Sequence, residues 1–166
     1  MKTSIQKAQA SDIQHLAKIH QLTFIRQKDS YQWILSTFSA YPRYICYVLK
    51  CDEHISGYIF WAQKSGFRPE VILELDQMAI HPEFQRKGLS KRLIEESLIL
   101  LQEELMQNQQ SIKNILVNTS YDNFAKKIYE DVLAAKEVAI IADLFRLPEV
   151  CLKSDRHDLK FLDVES

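Results

Sequence analysis

The segment Met78–Leu100 has the sequence MAIHPEFQRKGLSKRLIEESLIL, and its character changes at its centre. An apolar run ends at His81-Pro82, a short cationic loop follows, and apolar residues recur about every four positions after Gly88. A helix start accepts anions readily, because its first N–H groups lack intrahelical partners and carry the positive end of the helix dipole. We therefore expect this loop to hold an anion, and a diphosphate would fit it.

The glycines of the chain narrow the kind of loop that this can be. Gly57, Gly66 and Gly88 are the only three, so neither the GxGxxG pattern of dinucleotide folds nor the GxxxxGK pattern of P-loops can be drawn. Gly88 can adopt a positive φ and lets the backbone approach a ligand without an intervening Cβ. A solvated basic turn in front of a helix is the alternative, because one glycine beside Arg86 and Lys87 is a weak pattern.

Composition bounds the class of protein. The chain has 166 residues, of which 46% are hydrophobic and 26% charged, as in a soluble globular protein, and we expect one domain over residues 1–166. Lys and Arg number 21 against 22 Asp and Glu, a net charge of −1, so no nucleic-acid or membrane partner is expected. The start MKTSIQKAQASD has no signal-peptide core and no run approaches transmembrane length, so we expect a cytoplasmic location.

Cysteines and histidines give no metal-binding pattern. Cys46, Cys51 and Cys151 form no CxxC pair, and we expect reduced thiols. His15 and His20 are five residues apart, which does not place them on one helical face, so no metal site is expected. His20 has the spacing of a packed, hydrogen-bonded core residue.

Hydrophobic periodicity predicts alternating helices and strands. In chain order these are a short strand at 4–6, a helix capped by Ser11 with Gln14 three residues on, a second helix from Asp29 or Ser30, a hairpin at 44–50 and 55–64, a long strand at 70–80, a long helix from Leu89, a strand at 115–119, a helix at 121–133 and a last strand pair broken near Pro148. The helix between the strands 70–80 and 115–119 is a crossover, so these two strands should be parallel in a mixed sheet.

This order of elements, with the motifs HPEFQRKGLSKRL and DNFAKKIYE, resembles the GNAT superfamily of acetyl-CoA-dependent N-acyltransferases over nearly the full chain. The resemblance implies an α/β fold with a mixed, mostly antiparallel central sheet, a splayed parallel strand pair and about four flanking helices. Family members carry Gln/Arg-x-x-Gly-x-Gly/Ala at the loop. The chain matches this pattern in register, with a serine in place of the last small residue, through Gln85, Arg86, Lys87, Gly88, Leu89 and Ser90.

A second family signature, Asn-x-x-Ala-x-x-Leu-Tyr, is matched by Asp122, Ala125, Ile128 and Tyr129. An aspartate in the place of Asn caps a helix well but cannot donate hydrogen bonds to coenzyme A, and Asn123 is the neighbouring donor. The Gly-Phe that commonly follows the tyrosine is missing. By resemblance acetyl-CoA is the expected cosubstrate, bound by Met78, Ala79, Ile80, Gln85, Arg86, Lys87, Gly88, Leu89, Ser90, Asp122, Asn123 and Tyr129.

Transfer of an acetyl group to an amine calls for two proton transfers. An alkylammonium has a pKa of about 10.4, so a base is useful, and a positioned acid helps the thiolate to leave. The resemblance makes Tyr129 the acid and directs backbone amides of 77–80 at the thioester oxygen. Glu74 is the favoured base and Asp76 the second, because two-residue alternation puts both on one strand face. A solvated acidic pair and a packed Tyr129 are the structural alternatives.

The expected acceptor is a primary amine of a small molecule, which attacks directly in a ternary complex of a monomer or homodimer. A protein or peptide amino terminus and a non-catalytic acyl-CoA sensor are the alternatives. We expect acceptor specificity to come from the segment between the first two helices and from the Gly66–Pro69 turn, both near the split end of the sheet. The candidate side chains are Tyr31, Trp33, Phe38 and Arg68.

Overall fold

The computed structural model describes residues 2–118 and 125–133. Five strands and four helices occupy these ranges: β1 (Thr3–Lys7), α1 (Ile13–Thr23), α2 (Ser30–Ser39), β2 (Tyr44–Cys51), β3 (His54–Gln63), β4 (Glu70–Ile80), α3 (Leu89–Gln107), β5 (Ser111–Val117) and α4 (Ala125–Leu133). The predicted strand pair around Pro148 lies outside the described residues.

The strands form one sheet in the order β1-β2-β3-β4-β5. Neighbouring strands are antiparallel except β4 and β5, which are parallel. The parallel pair was predicted from the crossover through α3, since a helix that joins two strands of one sheet returns the chain in the same direction. The mixed α/β sheet with its flanking helices is therefore confirmed.

Helices cover both faces of the sheet. Because side chains alternate along a strand, β2 sends Tyr47 and Leu49 into one core beneath α3, and Cys46 and Val48 into a second core beneath α1 and α2. The indole N–H of Trp61 on β3 donates to the Ser97 hydroxyl of α3 at 3.0 Å, and both residues are fully buried. This bond fixes α3 against the centre of the sheet.

A β-bulge interrupts β4 at Asp76. Phe60 of β3 pairs with Gln77 and its neighbour Trp61 with Leu75, which leaves Asp76 as an extra residue. Leu75 and Met78 consequently both pack beneath α3, with two residues between them instead of one. A bulge bends its strand and strengthens the local twist. The ladder with β5 ends here, at Leu75 and Val117, whereas the ladder with β3 continues to Ile80.

Two predicted boundaries were wrong. Ser11 does not cap α1, because it lies within a 3-10 turn at Ala10–Asp12, and the Asp12 carboxylate accepts the N–H of Gln9 at 2.8 Å instead. β5 begins at Ser111, four residues before the predicted start, because its backbone N–H donates to the carbonyl of Pro69 and extends the ladder through polar residues.

Replacing Ser97 with Ala should lower the free energy of unfolding by about 1–3 kcal/mol, because the buried N–H of Trp61 loses its acceptor. Ser36→Ala is the matched control, since that serine also lies in a helix and bonds a carbonyl three residues back but is exposed. The control should stay within about 0.5 kcal/mol of the parent in urea unfolding. Equal effects of the two changes would contradict a structural role for the Trp61–Ser97 bond.

Candidate active site

The loop from Gln85 to Ser90, here called the anion loop, is anchored to the end of β4. After β4, a 3-10 turn at Pro82–Phe84 leads into it. The side-chain amide of Gln85 donates to the carbonyl of Ile80 at 2.9 Å, and the Lys87 ammonium donates to the carbonyl of Glu83 at 3.0 Å. Two side chains of the loop thus hold its own backbone in place, and α3 starts at a fixed position relative to β4.

The backbone of the anion loop has the form that an anion site needs. Gly88 has a φ of +73°, as predicted, and Arg86 has a φ of +61°, which is uncommon for a residue with a Cβ. Gly88 is the N-cap of α3, and no side chain caps the first N–H groups of that helix. A Cβ built on Gly88 would meet nothing within 4 Å, so the space before these N–H groups is open. The loop therefore fits a diphosphate.

Three other residues expected at the cofactor have buried side chains, which leaves only their backbone groups to face a ligand. The side chains of Ala79, Ile80 and Leu89 are at most 6% exposed and belong to the two cores. Ser90 is the second residue of α3, and Gly88 holds the N-cap position. Asp122 and Asn123 lie outside the described residues, and of Tyr129 only the backbone, within α4, is described.

The acidic pair Glu74 and Asp76 lies where β4 and β5 separate. Glu74 forms an ion pair with Lys64 at the end of β3, with 2.7 Å between Oε2 and Nζ. The hydrogen bond and charge of Glu74 raise the pKa of Lys64. Partial burial among the atoms of the bulged strand, followed by the charge of Glu74, raises the pKa of Asp76, and the charge of Lys64 lowers it by less. Among the described residues Asp76 forms no ion pair.

Helix α2 reaches the same place on the sheet. The indole N–H of Trp33 donates to the side-chain oxygen of Gln77, the residue after the bulge, at 3.3 Å, and half of Trp33 is exposed. Tyr31 is also half exposed. Phe38 packs against the core beneath α1 and α2, so its side chain is part of the packing of that core. Trp33 is thus the residue, among those predicted to contact the acceptor, that is bonded to β4 immediately after Asp76.

Arg68 and its turn do not border the split end of the sheet, contrary to prediction. The turn precedes β4, and there the backbone of Pro69 accepts a hydrogen bond from Ser111, so β4 and β5 are firmly paired. Asp76 is six positions after Glu70 along the strand, a distance of roughly 20 Å at the usual rise. Arg68 is therefore remote from the acidic pair.

His20, Cys46 and Cys51 are buried residues in the described part of the chain. Residues 2–118 and 125–133 contain no group of three or more His, Cys, Asp or Glu placed to hold a metal ion. His20 is fully buried, its Nδ1 is 2.8 Å from the Ser30 hydroxyl, and burial lowers its pKa. Cys46 and Cys51 are buried free thiols. Within the described helices, none has the length and apolar character required to cross a membrane.

A family model for the acetyltransferase (GNAT) domain matches residues 42–132, more than half of the chain and all of the elements that build the loop and the acidic pair. The chain belongs to the GNAT acetyltransferase family. It is therefore an acetyltransferase that uses acetyl-CoA as cosubstrate, as the sequence resemblance implied. No curated protein sequence matches it.

Solved structures of GNAT enzymes share this fold. The aminoglycoside acetyltransferase AAC(6')-Iy, bound to a bisubstrate analogue of CoA and acetylneamine, is 15% identical, with a TM-score of 0.66 and 89% of this chain and 99% of that one covered. A ribosomal-protein-alanine N-acetyltransferase from Brucella melitensis is 16% identical, with a TM-score of 0.68 and coverage of 89% and 100%. An aminoglycoside acetyltransferase from an uncultured soil sample, bound to sisomicin, is 15% identical, with a TM-score of 0.67 and coverage of 88% and 97%.

Sequence analysis of this GNAT chain missed the bulge at Asp76 and the role of Lys64. A signal for the bulge was present, because the apolar positions of β4 change from odd numbers at Leu73 and Leu75 to even numbers at Met78 and Ile80. No comparable signal marks Lys64, since its pairing with Glu74 depends on the register between β3 and β4.

Gly88→Glu should weaken coenzyme A binding by about tenfold or more, because the new carboxylate repels a diphosphate in the open space before α3. Gly66→Glu is the matched control: Gly66 has a φ of +71°, also has nothing within 4 Å, and lies in the β3–β4 loop. Both variants should lose about 1–2 kcal/mol of stability through strain at positive φ, and only Gly88→Glu should lose affinity in calorimetric titration. Equal affinity in both variants would contradict the anion site.

Proposed function

We propose that the protein transfers the acetyl group of acetyl-CoA to a primary amine of a small molecule, by direct attack in a ternary complex. The acidic pair at the point where β4 and β5 separate carries this proposal. Its two carboxylates and the single ammonium of Lys64 sum to one net negative charge at the edge of the sheet. A cationic amine is attracted to such a position, and the half-exposed indole of Trp33 offers it an aromatic wall.

Each part of the site then has a task. Bound acetyl-CoA supplies an acetyl thioester. The uncapped N–H groups of α3, with Gly88, bind its diphosphate, and the backbone of β4 beyond Asp76, which has left the ladder with β5, offers N–H groups to the thioester oxygen. The acidic pair takes a proton from the acceptor ammonium, with Glu74 as the base favoured by resemblance. Tyr129 donates a proton to the departing sulfur.

A protein amino terminus is the second candidate acceptor. It is favoured by the similarity to the ribosomal-protein-alanine N-acetyltransferase, whose TM-score of 0.68 is comparable to those of the aminoglycoside enzymes. Identities of 12–18% carry no preference between the two acceptor classes. The net negative charge beside Trp33 supports the small amine, because it matches an alkylammonium that is fully protonated at neutral pH.

The acceptor class is tested by thiol release from acetyl-CoA across primary alkylamines, amino sugars, amino acids and short peptides. Small cationic amines should be acetylated, and peptides should react at least about tenfold more slowly. Activity on peptides alone would make the amino-terminal function correct. Binding of coenzyme A without transfer to any acceptor would instead indicate a non-catalytic acyl-CoA sensor.

Tyr129→Phe should reduce kcat by about 10²-fold, the lower range for loss of general acid catalysis, while the Kd for coenzyme A is unchanged. The control is Tyr41→Phe, which removes a hydroxyl that donates to Glu104 near the far end of α3. That variant should retain the parent kcat. If Tyr129→Phe also retains it, another group protonates the thiolate.

A further inference from the structure

Glu74 already forms an ion pair with a lysine of the protein itself. The Lys64 ammonium lies 2.7 Å from its carboxylate, and the Glu74 side chain is only 16% exposed. This carboxylate already has a cation within hydrogen-bonding distance, so an acceptor ammonium has to displace Lys64 in order to reach the same oxygen. Glu74 is also opposite Ala62 in the ladder, inside the part of β4 that is still paired on both sides.

Asp76 has the opposite surroundings. The bulge takes it out of the register with β3, it follows the last pair between β4 and β5, and it is open to solvent although part of it is buried. Leu75 and Met78 on either side pack beneath α3, which directs the two residues between them towards the face of α2. The next residue, Gln77, confirms that direction through its bond to Trp33 of α2. An acceptor that enters between α2 and the split strands therefore meets Asp76 without displacing an ion pair.

We propose that Asp76 is the catalytic base that takes the proton from the acceptor ammonium, and that Lys64 is a positioning residue that holds Glu74 as a fixed negative charge. This inference rests on the proposed amine acetylation and names the base within it. The Asp76 carboxylate accepts one proton from the ammonium, the neutral nitrogen forms the new C–N bond as the C–S bond breaks, and the sulfur takes a proton from Tyr129. The nitrogen of the new amide loses its second proton, which passes through solvent to the Tyr129 phenolate, and Asp76 releases its own proton to solvent, so one proton is released per acetyl group transferred.

Lys64 and Glu74 tune Asp76 in opposite directions. Glu74 raises the pKa of Asp76, because a second negative charge nearby disfavours ionisation, and Lys64 lowers it. Tyr44, whose charge acts on Lys64, is the other titratable group beside the pair. Glu74 and Lys64 are the charges that act on Asp76. Neither α2 nor the end of β5, with Leu116 and Val117, has a charged residue, and α1, which also packs against β4, carries His15, Lys18 and the buried His20. A raised pKa makes the Asp76 carboxylate a stronger base.

The kinetic test uses n-butylamine as acceptor and the pH profile of kcat/KM. Asp76→Asn should lower kcat/KM by about 10²-fold or more and should abolish the acid limb of the profile, which is the fall in kcat/KM at low pH. Glu74→Gln should lower kcat/KM by less than about tenfold. The acid limb should move to lower pH in Glu74→Gln, which removes the charge that raises the pKa of Asp76, and to higher pH in Lys64→Met. Lys64→Arg keeps the ion pair, so its pH profile of kcat/KM should match that of the parent. A large loss in Glu74→Gln with little loss in Asp76→Asn would overturn the assignment.

A second measurement separates this inference from the acetylation itself. Carboxyl ¹³C NMR follows the titration of Asp76 in the complete protein without any acceptor. The pKa of Asp76 should lie above the ordinary value of about 3.9 and rise further in Lys64→Met but not in Lys64→Arg. A pKa that does not respond to Lys64→Met would refute the arrangement even in an active enzyme. Absence of thiol release with n-butylamine or any other amine, with the NMR result as expected, would instead refute the proposed function.

Discussion

The site depends on a difference between the two ladders of β4, which is hydrogen-bonded to its two neighbouring strands over different lengths. This strand stays paired with β3 to Ile80 but leaves β5 after Leu75, and the bulge at Asp76 accommodates the difference. Backbone N–H and C=O groups are costly to leave unpaired in a core, so a sheet opens only where something else satisfies them. This opening lies where β5 leaves β4. The oxygen of a bound thioester could accept hydrogen bonds there from the N–H groups that β5 no longer pairs. One extra residue thus creates the cleft without weakening the three antiparallel strands behind it.

The same strand separates two opposite charges. At its end the anion loop presents uncapped N–H groups and the cationic Arg86, and before the bulge the acidic pair has a net negative charge. Acetyl-CoA is an anion and the proposed alkylammonium acceptor is a cation, so each would be attracted to its own end of one rigid element. Because β3 pairs with β4 from Leu73 to Ile80, on both sides of the bulge, the acidic pair and the anion loop keep a constant separation. Positioning of two reactants on a rigid strand supplies much of what a bimolecular transfer needs.

The sequence allowed the fold to be predicted where one local pattern determined one element. Alternation in β2 and β3, the four-residue repeat of α3 and the crossover rule sufficed for the sheet and its parallel pair. Gly88 was identified correctly because only a residue without Cβ adopts its backbone freely. The errors concern contacts between segments. The Lys64–Glu74 pair depends on hairpin register, Ser111 joins β5 through Pro69 across forty residues, and the positive φ of Arg86 is imposed by the loop rather than by its own side chain.

Stability alone does not account for the ion pair beside the bulge. Pairs with one exposed partner contribute about 0–1 kcal/mol, because solvent screens the attraction and two long side chains lose freedom, and the Lys64 side chain is 41% exposed. An apolar residue in place of the nearly buried Glu74 would pack against the sheet at least as well. What the pair does provide is a fixed dipole beside a flexible carboxylate. Burial and the charge of Glu74 increase the proton affinity of Asp76, and the charge of Lys64 opposes this increase. The balance between these two charges is thus better explained by proton transfer at Asp76 than by folding.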